Sequence, residues 1–95
     1  MLFHCEFTWH PHTTSAQVRE RHVQQFRAEA LRPESWRDWY EFAGMGAGFL
    51  LVESDNADLL RDIFLPYADL MRFDIRPLRA IDKEAVLARV AQEAQ

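Results

Sequence analysis

LFHCEFTW, residues 2–9, alternates without a break: Phe3, Cys5, Phe7 and Trp9 fall on one side of an extended chain, Leu2, His4, Glu6 and Thr8 on the other. A period of two predicts a strand with one packed face and one more polar face. MRFDIRPL, residues 71–78, repeats the pattern, with Phe73 and Ile75 toward the core and Arg72, Asp74 and Arg76 opposite. Pro77 limits how far that strand can donate to a ladder.

The segments between these two strands complete the order. His10–Thr13 make a turn, and Thr14 with Gln17 three positions on has the form of a capping box. The helix that follows is expected from about Ser15 to Leu31, with Val18, His22, Val23, Phe26 and Ala30 on one stripe and Arg19 inside it. Pro33 stops it, and SWRDWYEF reads as an aromatic second strand. AGMGAG reverses the chain into GFLLVES, a third strand. Ser54 or Asp55 can cap a second helix whose stripe is Leu59, Leu60, Ile63 and Phe64. A last helix begins after Asp82, with Val86, Leu87 and Val90 as its expected buried side.

The order β-α-β-β-α-β plus a C-terminal helix is the split βαβ, or ferredoxin-like, pattern of the α+β class, here as one domain over residues 1–95. Its four-stranded antiparallel sheet has the expected strand order 4-1-3-2. The first strand then lies beside the fourth, which brings His4 and Glu6 next to Arg72, Asp74 and Arg76 on one sheet face.

Composition sets limits on partners. A chain of 95 residues buries only roughly 60 to 65 per cent of its unfolded surface, so an association surface would help it. The net charge of −4 argues against nucleic acid, which needs a concentrated basic face. One cysteine excludes an internal disulfide, and its apolar setting suits a reduced, cytoplasmic compartment. No basic segment followed by an apolar stretch opens the chain, and no apolar run reaches the length of a membrane span.

GFLLVESDNADLL and YADLMRFDIRPL, covering most of residues 48–78, resemble the second half of an uncharacterised family of small bacterial proteins. The opening MLFH and the segment SWRDWYEFAG, chiefly Trp36, Arg37, Ala43 and Gly44, resemble muconolactone isomerase more weakly, with LPY at 65–67 and FDIRPL as lesser echoes. The basic residues that flank the isomerase's second strand are replaced by Asp38 and Glu41, and the tail after the fourth strand differs. Both resemblances imply the dimeric α+β barrel superfamily, in which two ferredoxin-like subunits join their sheets, and hence a homodimer or a higher homo-oligomer. The fold hosts many chemistries, so activity does not follow from it.

Three arrangements of residues carry candidate chemistry. His4 and Glu6, two apart on a strand, project from one face about 7 Å apart. A base beside Arg72 or Arg76 is what proton abstraction next to a carbonyl requires, which makes His4, Glu6 and Arg72 the candidate catalytic set. The competing reading is a network of cross-strand ion pairs. Arg19 and His22 on the first helix, Arg37 and Trp39 on the second strand, and Arg76 are the candidate ligand contacts, with Trp36, Tyr40 and Phe42 as further aromatic surface. His10 and His12 form an H-x-H pair across Pro11 whose spacing matches no zinc pattern, so a metal site there is only an alternative and no cofactor is expected. Cys5, between Phe3 and Phe7, reads as an inert core thiol.

These readings leave two classes of function. One is a binding protein that holds a small organic acid or aromatic molecule in a cavity. The other is a cofactor-free enzyme, isomerase-like or monooxygenase-like, with His4 or Glu6 moving the proton and an arginine holding negative charge.

Overall fold

A computed structural model describes residues 1–95. Strand β1 (Leu2–Trp9) is followed by helix α1 (Ser15–Arg27), strands β2 (Trp36–Glu41) and β3 (Ala47–Glu53), helix α2 (Ala57–Phe64), strand β4 (Met71–Leu78) and helix α3 (Lys83–Glu93). The sheet has the order β2-β3-β1-β4 and every pairing is antiparallel, as the ferredoxin-like reading expects. Cys5 sits between Leu50 and Ile75, and Phe7 between Gly48 and Phe73. The alternation of β1 therefore sends Cys5 and Phe7 into one core with Leu50, Val52, Leu60, Ile63, Phe64 and Met71. Burial pushes the Cys5 thiol up to about 12.

Thr14 caps α1 as a capping box: its Oγ1 accepts from the Gln17 amide at 3.2 Å, and Gln17 Oε1 accepts from the Thr14 amide at 2.9 Å. The helix stops four residues before the expected Leu31. Glu29 takes a left-handed conformation (φ 56°), and the Ala30 and Glu29 amides turn back to the carbonyls of Gln25 and Phe26. That is a Schellman ending, built here without the glycine that usually announces one.

The inward face of α1 also differs from the expected stripe. Val18, Arg21, His22 and Gln25 turn toward the domain, whereas Val23 and Phe26 are exposed and Arg19 lies outside the contact. Polar anchors set this rotation. Arg21 makes a forked pair with Asp69 at 2.7 and 2.9 Å and also donates to the Pro66 carbonyl, and His22 meets the Tyr67 hydroxyl. The fork raises the Arg21 guanidinium and holds the Asp69 carboxyl below its ordinary value.

A bulge at Arg37 interrupts β2, so that Trp36 pairs with Val52 and Trp39 with Leu50. Two residues three apart thereby reach the same, helix-covered face. Tyr40, opposite Phe49, lies on the open face. Asn56, rather than Ser54 or Asp55, caps α2, with its Oδ1 accepting from the Asp58 amide at 2.9 Å. Ser54 instead holds the approach loop, accepting from the Asn56 amide and donating to the Asn56 carbonyl.

Helix α3 corrects the sequence reading most. Asp82 caps it as expected, but none of its residues is buried, and Val86, Leu87 and Val90 are about half exposed. The chain is 58 Å long in its greatest dimension, with a radius of gyration of 17.1 Å against about 12 Å for a compact chain of this length. Past Pro77 the segment Arg79–Asp82 leads into α3, none of whose residues is buried. Ile75, expected in the core, is 37% exposed, at the edge of a groove that it lines with Leu60 and Arg61 of α2.

A candidate ligand cavity between the helices and the sheet

The bulge in β2 and the polar side of α1 bring three polar groups to one apolar cavity. Phe7, Leu50 and Phe73 form its floor on the sheet, Ile63 and Phe64 one wall, and His22, Tyr67, Trp36 and Trp39 stand among the rest. Eleven residues line it, none of them Lys, Arg, Asp or Glu. The cavity is about 50 Å³, above the roughly 10–15 Å³ that a cavity needs to hold one water.

His22 Nδ1 and the Tyr67 hydroxyl are 2.7 Å apart. Burial lowers the His22 imidazole from its ordinary value and pushes Tyr67 up to about 12, so both are neutral at pH 7. Trp39 closes over them edge-on, its ring 5.9 Å from that of His22 and 5.5 Å from that of Trp36. Trp36 Nε1 is buried and has no hydrogen-bond partner. A buried N–H donor without a partner is uncommon and costs the desolvation it is not repaid.

The remaining candidates are dispersed over the open face of the sheet and the surface. His4 is stacked on Phe49, with ring centroids 4.8 Å apart. Glu6 and Arg72 line one shallow groove with Thr8 and Asp74, and His4 does not reach it. Arg76 is engaged at 2.7 Å by Asp74, two residues away on its own strand, and Arg37 donates to the Glu34 carbonyl at 3.1 Å. Arg19 is exposed on the outer side of α1. His10 Nε2 bonds the Ala68 carbonyl at 3.0 Å, and no three His, Cys, Asp or Glu side chains are grouped to hold a metal ion. Of the sequence candidates, His22 and Trp39 thus meet at the cavity, and Glu6 and Arg72 at the groove. Tyr67 was not among them: it sits in a short turn after Pro66 where no periodicity singles it out.

A family model described as a domain of unknown function, DUF3303, matches residues 1–92. The chain belongs to that family. No curated protein matches it. Among solved structures, this DUF3303 chain is similar to muconolactone isomerase, with a TM-score of 0.62 and 22% sequence identity, over 87% of this chain and 93% of the other. At that identity the likeness shows a shared fold, the ferredoxin-like α+β architecture. No helix of the DUF3303 chain is long and apolar enough to cross a membrane.

Proposed function

We propose that the chain is a binding protein whose cavity beneath α1 takes a small, largely apolar organic molecule. The observation that carries this reading is an apolar cavity of about 50 Å³ between helices and sheet, with Trp36, Trp39 and the neutral His22–Tyr67 pair among its lining residues. An apolar pocket with a few convergent polar groups is the usual form of a small-molecule site. The test is the indole N–H region of ¹H–¹⁵N spectra during titration with small aromatic compounds. The Trp36 signal, assigned by Trp36→Phe, is expected to shift and saturate. If every compound leaves it unmoved at millimolar concentration, the cavity is packing space only.

Proton transfer on the open face has narrower support. Glu6 and Arg72 share a groove, but His4 is stacked on Phe49 and Arg76 is paired with Asp74, leaving one base and one arginine. Turnover of a lactone substrate that is abolished by Glu6→Gln would favour this second reading.

The binding subunit works as a homodimer in a reduced cytoplasmic setting. Its open sheet face carries Tyr40 and Phe42 beside Phe49, with ring centroids 5.2 and 6.3 Å from that of Phe49. The accessible surface of 7240 Å² exceeds by about 1,500 Å² that of a compact monomer of this mass. A standard interface covers about 800 Å² per partner, so the excess is enough for a stable dimer. Sedimentation at micromolar concentration is expected to give a dimer, and Phe49→Arg a folded monomer. A monomeric parent protein would overturn the assembly.

A further inference from the structure

Two apolar surfaces of the fold have no partner within the chain, one convex and one concave. The convex one is α3. Its cap is in place, with Asp82 Oδ1 accepting from the Ala85 amide at 3.1 Å, and Val86, Leu87 and Val90 form one stripe along it. Isolated helices shorter than about 12–15 residues are marginal in water, and α3 has 11. Such a helix is stabilised chiefly by packing its apolar side, yet none of its residues is buried by its own chain.

The concave surface is a groove between α2 and β4, an edge strand of the sheet. Phe3, Leu60, Leu65, Phe73 and Ile75 are in its lining, where nine of twelve residues are hydrophobic and none is acidic. Leu65 and Ile75 remain 58% and 37% exposed. Arg61 and Arg72 also line it, and neither pairs with a carboxylate of its own chain. The segment from Asp82 to Glu93 has the opposite sign, with Asp82, Glu84 and Glu93 against Lys83 and Arg89. Glu93 follows Val90 by three positions and so borders the apolar stripe. Helix and groove thus match in shape, in polarity and in charge.

We propose that α3 of one copy lies in the groove between α2 and β4 of a second copy, and reciprocally, so that two chains exchange their C-terminal arms. The stripe of Val86, Leu87 and Val90 covers Leu65, Phe73 and Ile75, and the acidic residues of the arm approach Arg61 and Arg72. Each copy gives a helix and receives one, so the exchange closes at two copies about a two-fold axis. The chain exposes about 1,500 Å² more than a compact monomer of its mass. A standard interface covers about 800 Å² per partner, which leaves enough for the arm and groove in addition to the sheet face. This inference rests on the chain associating with itself and adds a contact separate from Tyr40, Phe42 and Phe49.

Paramagnetic broadening in mixed samples, read beside sedimentation, tests it. A nitroxide is attached through Ala88→Cys, on the side of α3 away from the stripe, and Cys5, 0% exposed, does not compete for the label. This ¹⁴N protein is equilibrated with ¹⁵N protein that bears no nitroxide. The amide signals of Arg61, Phe73 and Ile75 in the ¹⁵N chain are expected to lose intensity, and Leu87→Glu in the labelled chain to restore it. A dimer whose groove signals keep full intensity confines the association to the sheet face and overturns the exchange, as does broadening that survives Leu87→Glu. Broadening seen only when nitroxide and ¹⁵N share one chain, diluted in unlabelled protein, overturns it too, since α3 then folds onto its own groove. A monomer in sedimentation overturns both the exchange and the homodimer, and leaves the groove to a different partner.

Discussion

The Nδ1 atom of His22 lies 2.7 Å from the hydroxyl of Tyr67, joining the first helix to a turn 45 residues further along the chain. The contact fixes the rotation of α1, and it makes the protein's stability depend on pH. Burial lowers the folded-state value of His22 below its ordinary 6.5. Between that lowered value and 6.5 the unfolded chain binds more protons than the folded one, so stability rises with pH in that window. The contribution is fully present above 6.5 and is lost as pH falls through the folded value. Melting temperatures from pH 4.5 to 7.5 should fall more steeply toward acid in the parent protein than in His22→Gln. Parallel curves would show that the imidazole is not desolvated.

Cys5 makes a simple contrast with that titrating group. It is 0% exposed, and burial pushes its thiol up to about 12, so almost no thiolate exists at pH 8. Alkylation by iodoacetamide should be at least about a hundredfold slower in the native protein than in urea, following the population of opened molecules. Rapid native labelling would mean that the β1 core opens readily.

The sheet was legible from sequence because alternation in LFHCEFTW and MRFDIRPL reports a face directly, and the antiparallel order then follows from few connections. The cavity was less so. Trp36 and Trp39 share a face only through the bulge at Arg37, and a bulge leaves no period to read. The rotation of α1 was hidden for a related reason: Val23 and Phe26 promise an apolar stripe, but Arg21 finds Asp69 and His22 finds Tyr67, pairings 48 and 45 residues apart. Local hydrophobicity cannot anticipate an anchor supplied by a distant turn.

Gly48 is held by space rather than by backbone conformation. A Cβ there would stand 2.1 Å from the Tyr40 carbonyl oxygen, 2.7 Å from Phe7 Cζ and 2.8 Å from Glu41 Cα. Two of the three are backbone atoms of the neighbouring strand and cannot move without opening the ladder. Gly48→Ala is therefore expected to cost about 3 kcal/mol in urea unfolding, the upper end for overpacking. Gly44→Ala, with nothing within 4 Å, should stay within about 0.5 kcal/mol. Equal effects at the two glycines would mean that β2 and β3 are not so closely paired.

Helix α3 allows a test that separates folding from assembly. Its Val86, Leu87 and Val90 are exposed at 48, 57 and 53%, and no part of it is buried by its own chain. A substitution that places charge on this side therefore removes little that the subunit itself buries, and leucine and glutamate differ little in helix propensity. Leu87→Glu is expected to change subunit stability by no more than about 0.5 kcal/mol when measured by urea unfolding at concentrations low enough to hold the subunit as a monomer. At micromolar concentration the same change should weaken the proposed self-association about tenfold or more, if a second copy covers this face together with the proposed interface at Tyr40, Phe42 and Phe49. The two readouts fail differently. A loss of about 2 kcal/mol in the monomer would show that α3 folds back onto its own chain, whereas an unchanged dimer would confine the interface to the sheet.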